Sequence, residues 1–157
     1  MKIGVLSDSH GNKFSLGRAI KALGQCDIIY HLGDYASDCK IIKENLDIPV
    51  ITIRGNCDNK DEGILEIVQK IEGVNIFLTH GHNYGVNFNI FKLRFKALET
   101  DSKIVLYGHT HVGRIDLEED IYFINPGSIS EPRDGSKPSV AIIEINNRII
   151  IPKLIHI

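Results

Sequence analysis

The side chains in this chain that could hold metal ions or move protons fall into five short groups: Asp8-Ser9-His10, Gly33-Asp34, Gly55-Asn56, Thr79-His80-Gly81-His82 and Gly108-His109-Thr110-His111. Seven histidines in 157 residues would give about 0.3 of an i,i+2 pair by chance. Two such pairs occur, His80/His82 and His109/His111. Each group directly follows an apolar run that reads as a strand. In open α/β sheets ligands collect beyond the carboxyl ends of the strands, so residues far apart in sequence can converge on one crevice. In extended backbone, Asp8 and His10 would point to the same side, as would His109 and His111. Glycine beside Asp34, Asn56, His80 and His109 lets the chain turn sharply while it presents its neighbour.

Taken singly, an Asp or Asn at a strand end reads as a turn-former or a helix cap. Recurrence at five strand ends is what points to metal. Asp8 and Asp34 supply carboxylates, Asn56 an amide oxygen, and His10, His80, His109 and His111 imidazoles. That is more than one tetrahedral ion needs and suits a binuclear site. A mixed nitrogen and oxygen set favours Mn, Ni, Co, Fe or Zn over Mg or Ca, and the Irving–Williams order leaves the choice among them open. His82 has three readings: a neighbour of the ligands, a substrate contact or a bystander. His31 and His156 lack ligand spacing and are expected to be core or surface residues.

Positioning these groups requires a specific order of elements. Lys2 to Ser7 reads as a buried strand, and Leu16, Ala19, Ile20 and Leu23 as a helix that stops at Gly24. A strand Ile28 to His31, a helix Ser37 to Asn45 and a strand Val50 to Arg54 complete a β-α-β-α-β start with parallel pairing. Ile64 to Ile71 and Val74 to Thr79 form a hairpin around Glu72-Gly73. A helix from Val86 to Glu99 follows, with Phe88, Phe91, Phe95 and Leu98 as its apolar face. Ile104 to Tyr107, Arg114 to Asp116 and Ile121 to Asn125 are further strands, and Val140 to Ile145 pairs with Arg148 to Pro152 around Asn146-Asn147. The fold class expected is α/β (mixed α+β), with two mixed sheets packed as a sandwich and helices covering both outer faces.

Composition bounds the rest. With 43% hydrophobic and 24% charged residues the chain reads as one globular domain over residues 1–157. A formal charge of −2 offers no basic track for nucleic acid and no attraction to an anionic membrane. Cys26, Cys39 and Cys57 are odd in number and widely spaced, which argues against a disulfide framework. The first ten residues lack signal-peptide character and no apolar run is long enough to span a bilayer, so a cytoplasmic protein is expected. Oligomeric state is left open, with a homo-oligomer compatible.

The ordered set D-x-H (Asp8, His10), G-D (Asp34), G-N (Asn56), H (His80) and G-H-x-H (His109, His111) resembles the calcineurin-like metallophosphoesterase superfamily. The likeness is greatest to its short single-domain bacterial and archaeal phosphodiesterases, whose N-P-G-S segment is matched by Asn125 to Ser128. The resemblance implies a two-sheet sandwich flanked by helices in four αββα layers. It implies Asp8, His10 and His111 on one metal, Asn56, His80 and His109 on the other, and Asp34 bridging both. Many members read G-N-H-[DE], with the histidine near the leaving-group oxygen, whereas this chain reads Gly55-Asn56-Cys57-Asp58.

The expected activity is phosphodiester hydrolysis of a small-molecule substrate by a metal-bridging hydroxide held by Asp34. Two divalent ions, two carboxylates and a hydroxide leave a residual charge of about +1, which suits a phosphate ester. With Cys57 in the histidine's place, stable leaving groups should be favoured, with His82 or a metal-bound water as candidate proton sources. Cys57 reads as a small filler, with a thiolate role open. The rival reading is a scaffold module of the same fold, like the retromer subunit that resembles it, with metal binding but little catalysis.

Overall fold

Residues 1–157 are all described by the computed structural model of the chain. Its first half contains β1 (Lys2–Leu6), α1 (Lys13–Leu23), β2 (Ile28–His31), α2 (Cys39–Asn45) and β3 (Val50–Thr52). The Asn12 side chain caps α1 by accepting the Ser15 N–H at 3.0 Å, and Gly24 ends it at φ 60°. Leu16, Ala19 and Leu23 lie at helical spacing and are fully buried. The second half contains β4 (Glu66–Ile71), β5 (Val74–Thr79), α3 (Phe91–Glu99), β6 (Ile104–Leu106), β7 (Gly113–Glu118), β8 (Ile121–Pro126), β9 (Ser139–Asn146) and β10 (Ile149–His156).

The strands form two five-stranded sheets, ordered β10-β9-β1-β2-β3 and β4-β5-β6-β8-β7. Each has three parallel strands, β1-β2-β3 in one and β5-β6-β8 in the other, with antiparallel strands added at the margins. Ile3, Val5, Tyr30, Leu32 and Ile53 of the first sheet meet Ile76, Leu78, Ile104, Leu106 and Ile124 of the second in the central core. Leu6, Ile29 and Ile142 face the other way, against α1 and α2. Phe77, Val105 and Phe123 pack on Leu93 and Ala97 of α3. The result is a helix–sheet–sheet–helix sandwich whose central strands, covered on both faces, are apolar on both.

Three local expectations are corrected. The Val86 to Glu99 helix starts only at Phe91, because the Asn89 side chain accepts the Phe91 N–H at 3.1 Å and turns the chain there. Its buried face is Leu93 and Ala97, while Phe88, Phe91, Phe95 and Leu98 point outward. The last hairpin turns at Asn147-Arg148, both at positive φ, one residue later than Asn146-Asn147, and β10 runs on to His156. That register opposes Ile150 to Ile145 and places Pro152 on an edge strand, where its missing N–H costs little.

Candidate metal centre

The carboxyl ends of β1, β2, β3, β5 and β6 bring the five polar groups to one end of the sandwich, where the two sheets are stitched together across the gap. The His109 N–H donates to Asp8 Oδ2 at 3.2 Å, and the His80 Nδ1–H donates to the Leu32 carbonyl at 2.8 Å. The chain here is not extended. Asp8, His10, Asp34, His109 and His111 all have φ between 47° and 68°. The i,i+2 pairs therefore converge because each member sits at a left-handed kink, not because a flat strand presents them. Left-handed backbone at a non-glycine residue costs on the order of 1 kcal/mol and collects at functional sites. The approach is close: a Cβ on Gly55 would overlap the Asp34 carboxylate, and one on Gly108 would overlap Ser7 Oγ.

Two sets of ligand atoms result. Asp8, His10, Asp34 and His111 each offer one atom within 4.8 Å of the others, and Asp34, His80 and His109 form a second such set. Asp34 belongs to both. Asn56 joins the second, with Oδ1 3.2 Å from His80 Nε2. All seven residues singled out as ligands are thus brought together.

The hydrogen bonds show what this arrangement requires. A carbonyl cannot donate, so His80 gives its Nδ1 proton to Leu32 and His111 gives its own to Glu131, at 2.8 and 2.7 Å. In the neutral rings that leaves both Nε2 atoms as bare lone pairs. His80 Nε2 then faces Asn56 Oδ1 at 3.2 Å and Asp34 Oδ1 at 3.5 Å. His111 Nε2 faces Asp8 Oδ1 and His10 Nε2, each at 3.3 Å. Asp8 Oδ1 is buried with no hydrogen-bond donor. Acceptors aimed at acceptors repel unless a proton or a cation lies between them. Burial works against charge on Asp8, but nearby His111 and His80 hold its pKa below the usual carboxylate value. Burial likewise lowers His111, but Asp8 outweighs it and raises the net pKa. One proton can relieve one set of contacts. Divalent cations relieve both, and the donor set fits them.

His82 lies against the ligands, its ring 5.3 Å from that of His80 and 6.2 Å from that of His109, with Nδ1 buried and unpartnered. Burial, then the charge of His80, lowers its pKa, and the same two causes lower that of His109. Cys57 does not fill space; it is exposed at the rim. Its N–H donates to Asp34 Oδ1 at 2.9 Å, and its Sγ lies 3.4 Å from the Asn56 amide nitrogen. Partial burial and the Asp34 carboxylate push its thiol up to about 11. His156 is exposed, and His31 is fully buried.

Several supporting residues were not singled out. The Asp58 carboxylate accepts the N–H groups of Asp34, Ala36 and Gly55 at 2.9, 2.8 and 2.7 Å, tying together the loops that carry Asp34 and Asn56. His31, expected to be a core or surface residue, accepts the Gly33 N–H on Nδ1 at 3.2 Å and meets Ser9 Oγ with Nε2 at 3.0 Å. Ser128 and Ser130 both donate to the Asp8 carbonyl, and the Asn125 amide donates to the Gly108 carbonyl. The Asn87 amide lies 3.0 Å from His109 Nε2 and fixes that ring. Of these, only Asp58 and the Asn125–Ser128 segment lay within quoted motifs.

Comparison with known proteins places these features in context. The calcineurin-like phosphoesterase superfamily domain profile matches residues 1–148. The phosphodiesterase MJ0936 of Methanocaldococcus jannaschii is 29% identical over 166 residues, covering 94% of this chain and 95% of that protein. A predicted phosphoesterase from Streptococcus pneumoniae TIGR4, known from its crystal structure, superposes with a TM-score of 0.84 at 32% identity, covering 99% of this chain and 88% of that one. The Zn-complexed Vps29 of Entamoeba histolytica shares the fold, with a TM-score of 0.78 at 23% identity over 99% of both chains.

Proposed function

The chain belongs to the calcineurin-like phosphoesterase superfamily and is a metal-dependent phosphoester hydrolase, and from that premise we propose that it cleaves small phosphodiesters at a two-metal centre. The observation that carries this reading is the sharing of Asp34 between the two ligand sets. Asp8, His10 and His111 would hold one ion, Asn56, His80 and His109 the other, and Asp34 both. Divalent ions bound there supply a water acidified to near neutral pH and positive charge for the phosphoryl oxygens.

The chain's own residues do the positioning. The Cys57 N–H holds one oxygen of Asp34, and Asp58 braces the backbone on either side of it. Leu32 and Glu131 fix the tautomers of His80 and His111, so that each presents Nε2 inward. Burial, then the charge of His80, lowers the pKa of His82, which disfavours its charged form. With Cys57 standing after Asn56 where many members of the family carry a histidine, substrates whose leaving groups depart as stable anions are favoured. Two carboxylates against two dications leave net positive charge, matched by the single negative charge of a diester. The ion is one of Mn, Ni, Co, Fe or Zn, the whole chain works as one domain, and its three unpaired cysteines fit the cytoplasm.

Cys57 in the histidine's place is the one feature that favours the rival reading, a metal-holding scaffold without turnover. The two separate on one assay. Protein stripped with chelator and reloaded with each of the five metals should hydrolyse bis(p-nitrophenyl) phosphate, and the chelated form should not. No turnover with any metal, in protein that still binds it, would leave the scaffold reading standing.

A further inference from the structure

A groove of about 560 Å³ runs from the metal centre down the outer side of the second sheet, between the loop before α3 and the edge strand β7. Asn87 and Thr110 stand at its mouth. The Asn87 amide lies 3.0 Å from His109 Nε2, and Thr110 separates the two ligands His109 and His111. Arg114, Asp116 and Glu118 share one face of β7 and form a wall about 13 Å long. Phe88, exposed by 91%, lines it from the loop side. Tyr107, directly after β6, lines it too and is only 3% exposed, yet its hydroxyl makes no hydrogen bond within the chain. A buried phenol normally has a partner. Burial, then the charge of Asp116, pushes the Tyr107 phenol up to about 12, and the other charges it feels are Arg114 and Glu118. The hydroxyl therefore faces the β7 wall across the groove and stays a donor at every working pH.

We propose that this groove holds one organic arm of the phosphodiester: an uncharged arm of nucleoside size, with a planar section against Phe88 and a hydrogen-bond acceptor that meets the Tyr107 hydroxyl. The inference rests on the diesterase reading above and names the substrate class for that same site. Position is the first support. A tetrahedral phosphate held by the ions projects its ester arms away from them, and the groove opens one side chain away from His109. Size is the second. The volume lies within the roughly 300–1,000 Å³ of small-molecule sites and is far more than a methyl or ethyl ester would fill. Charge is the third. Against Arg114 and Arg133 stand three carboxylates, Asp116, Glu118 and Asp134. Arg114 is already paired with Asp116, and β7 carries Glu118 to the end remote from the metal centre. A second phosphate there would be repelled, whereas a neutral arm rich in acceptors would not.

Two phosphonates that share the phosphoryl group and differ in the arm test this: methylphosphonate and the 5′-methylenephosphonate analogue of thymidine monophosphate. Their P–C bonds resist hydrolysis, so binding is read without turnover. In calorimetric titration of the whole Mn-loaded chain, the nucleoside phosphonate should bind at least about tenfold tighter. Tyr107→Phe should cut that preference about three- to tenfold, the scale of one hydrogen bond. Phe88→Ala should cut it about threefold through lost ring contact. Neither the Tyr107 hydroxyl nor the exposed Phe88 ring holds the fold together, so melting temperature should stay unchanged. The preference is a ratio at one phosphoryl site, so a general loosening of the protein would weaken both ligands and leave the ratio unmoved. Equal affinities in the unsubstituted chain, or a preference that survives both substitutions, would overturn the inference and leave the diesterase reading in place. Binding of neither phosphonate by protein that holds its Mn would overturn both.

Discussion

Replacing Asp58 by alanine should loosen the metal centre without touching a ligand. Its carboxylate accepts three backbone N–H groups, two from the loop after β2 and one from the loop after β3, at 2.7 to 2.9 Å. Hydrogen bonds to a charged acceptor contribute about 1.5–3 kcal/mol each. Asp58 is half-buried, so water would recover part of this, and a net loss of roughly 2–4 kcal/mol is expected. For a chain of this size that is a fall of roughly 5–15 °C in melting temperature. Asp58→Asn keeps one acceptor oxygen and should lose about half as much. Because Asp34 and Asn56 ride on the freed loops, metal affinity should drop about 10–100-fold, the usual cost of removing a group that orients ligands. Calorimetric titration with Mn and thermal melts measure both effects. The role is one of positioning, so activity should recover as metal concentration is raised. Unchanged melting together with unchanged Mn affinity would refute the bracing role, and lost activity that excess metal does not restore would make Asp58 part of the chemistry instead.

Asp34→Asn should reduce turnover at least about a hundredfold more than Cys57→Ala, the scale of removing one electrostatic stabiliser; a larger effect from Cys57→Ala under reducing conditions would give the thiol a catalytic part. Across a leaving-group series kcat/KM should run aryl diester, aryl monoester, then alkyl esters, with a steep dependence on leaving-group pKa; a flat dependence would show that some group does deliver a proton. Burial holds His31 at about 4 against an ordinary 6.5. Its contribution is therefore complete above pH 6.5 and is lost as pH falls toward 4, a cost of about 3 kcal/mol. Urea unfolding at pH 7 and pH 4.5 should show a smaller acid loss for His31→Gln than for the unsubstituted chain, and equal losses would remove His31 as the cause.

The parallel strands of the first sheet, the existence of β5, β6 and β8 in the second and the grouping of the seven candidate ligands were legible because each ligand follows an apolar run directly, so the strand end and the polar group announce each other; the parallel pairing of β5, β6 and β8 was not. Two other kinds of feature were not. The left-handed backbone at Asp8, His10, His109 and His111 comes from packing of the loops across the gap between sheets, and residue type alone does not encode it. The braces from His31, Asn87 and Ser130 act on groups distant in sequence, Ser130 on Asp8 from 122 positions away, and single polar residues of this kind carry no local pattern. The α3 face was misread for a related reason. Periodicity finds a stripe of large apolar residues but not which side the sheet occupies, and here the sheet takes Leu93 and the small Ala97.

The central claim is that Asp34 is shared by two ions. Elemental analysis of Mn-loaded, desalted protein tests it directly, read beside Asp34→Asn and His111→Ala. Two ions per chain are expected in the unsubstituted protein, one or none when the shared carboxylate is lost, and one when only the Asp8–His10–His111 set is damaged. A single ion per chain in the unsubstituted protein, or two ions retained in Asp34→Asn, would contradict it.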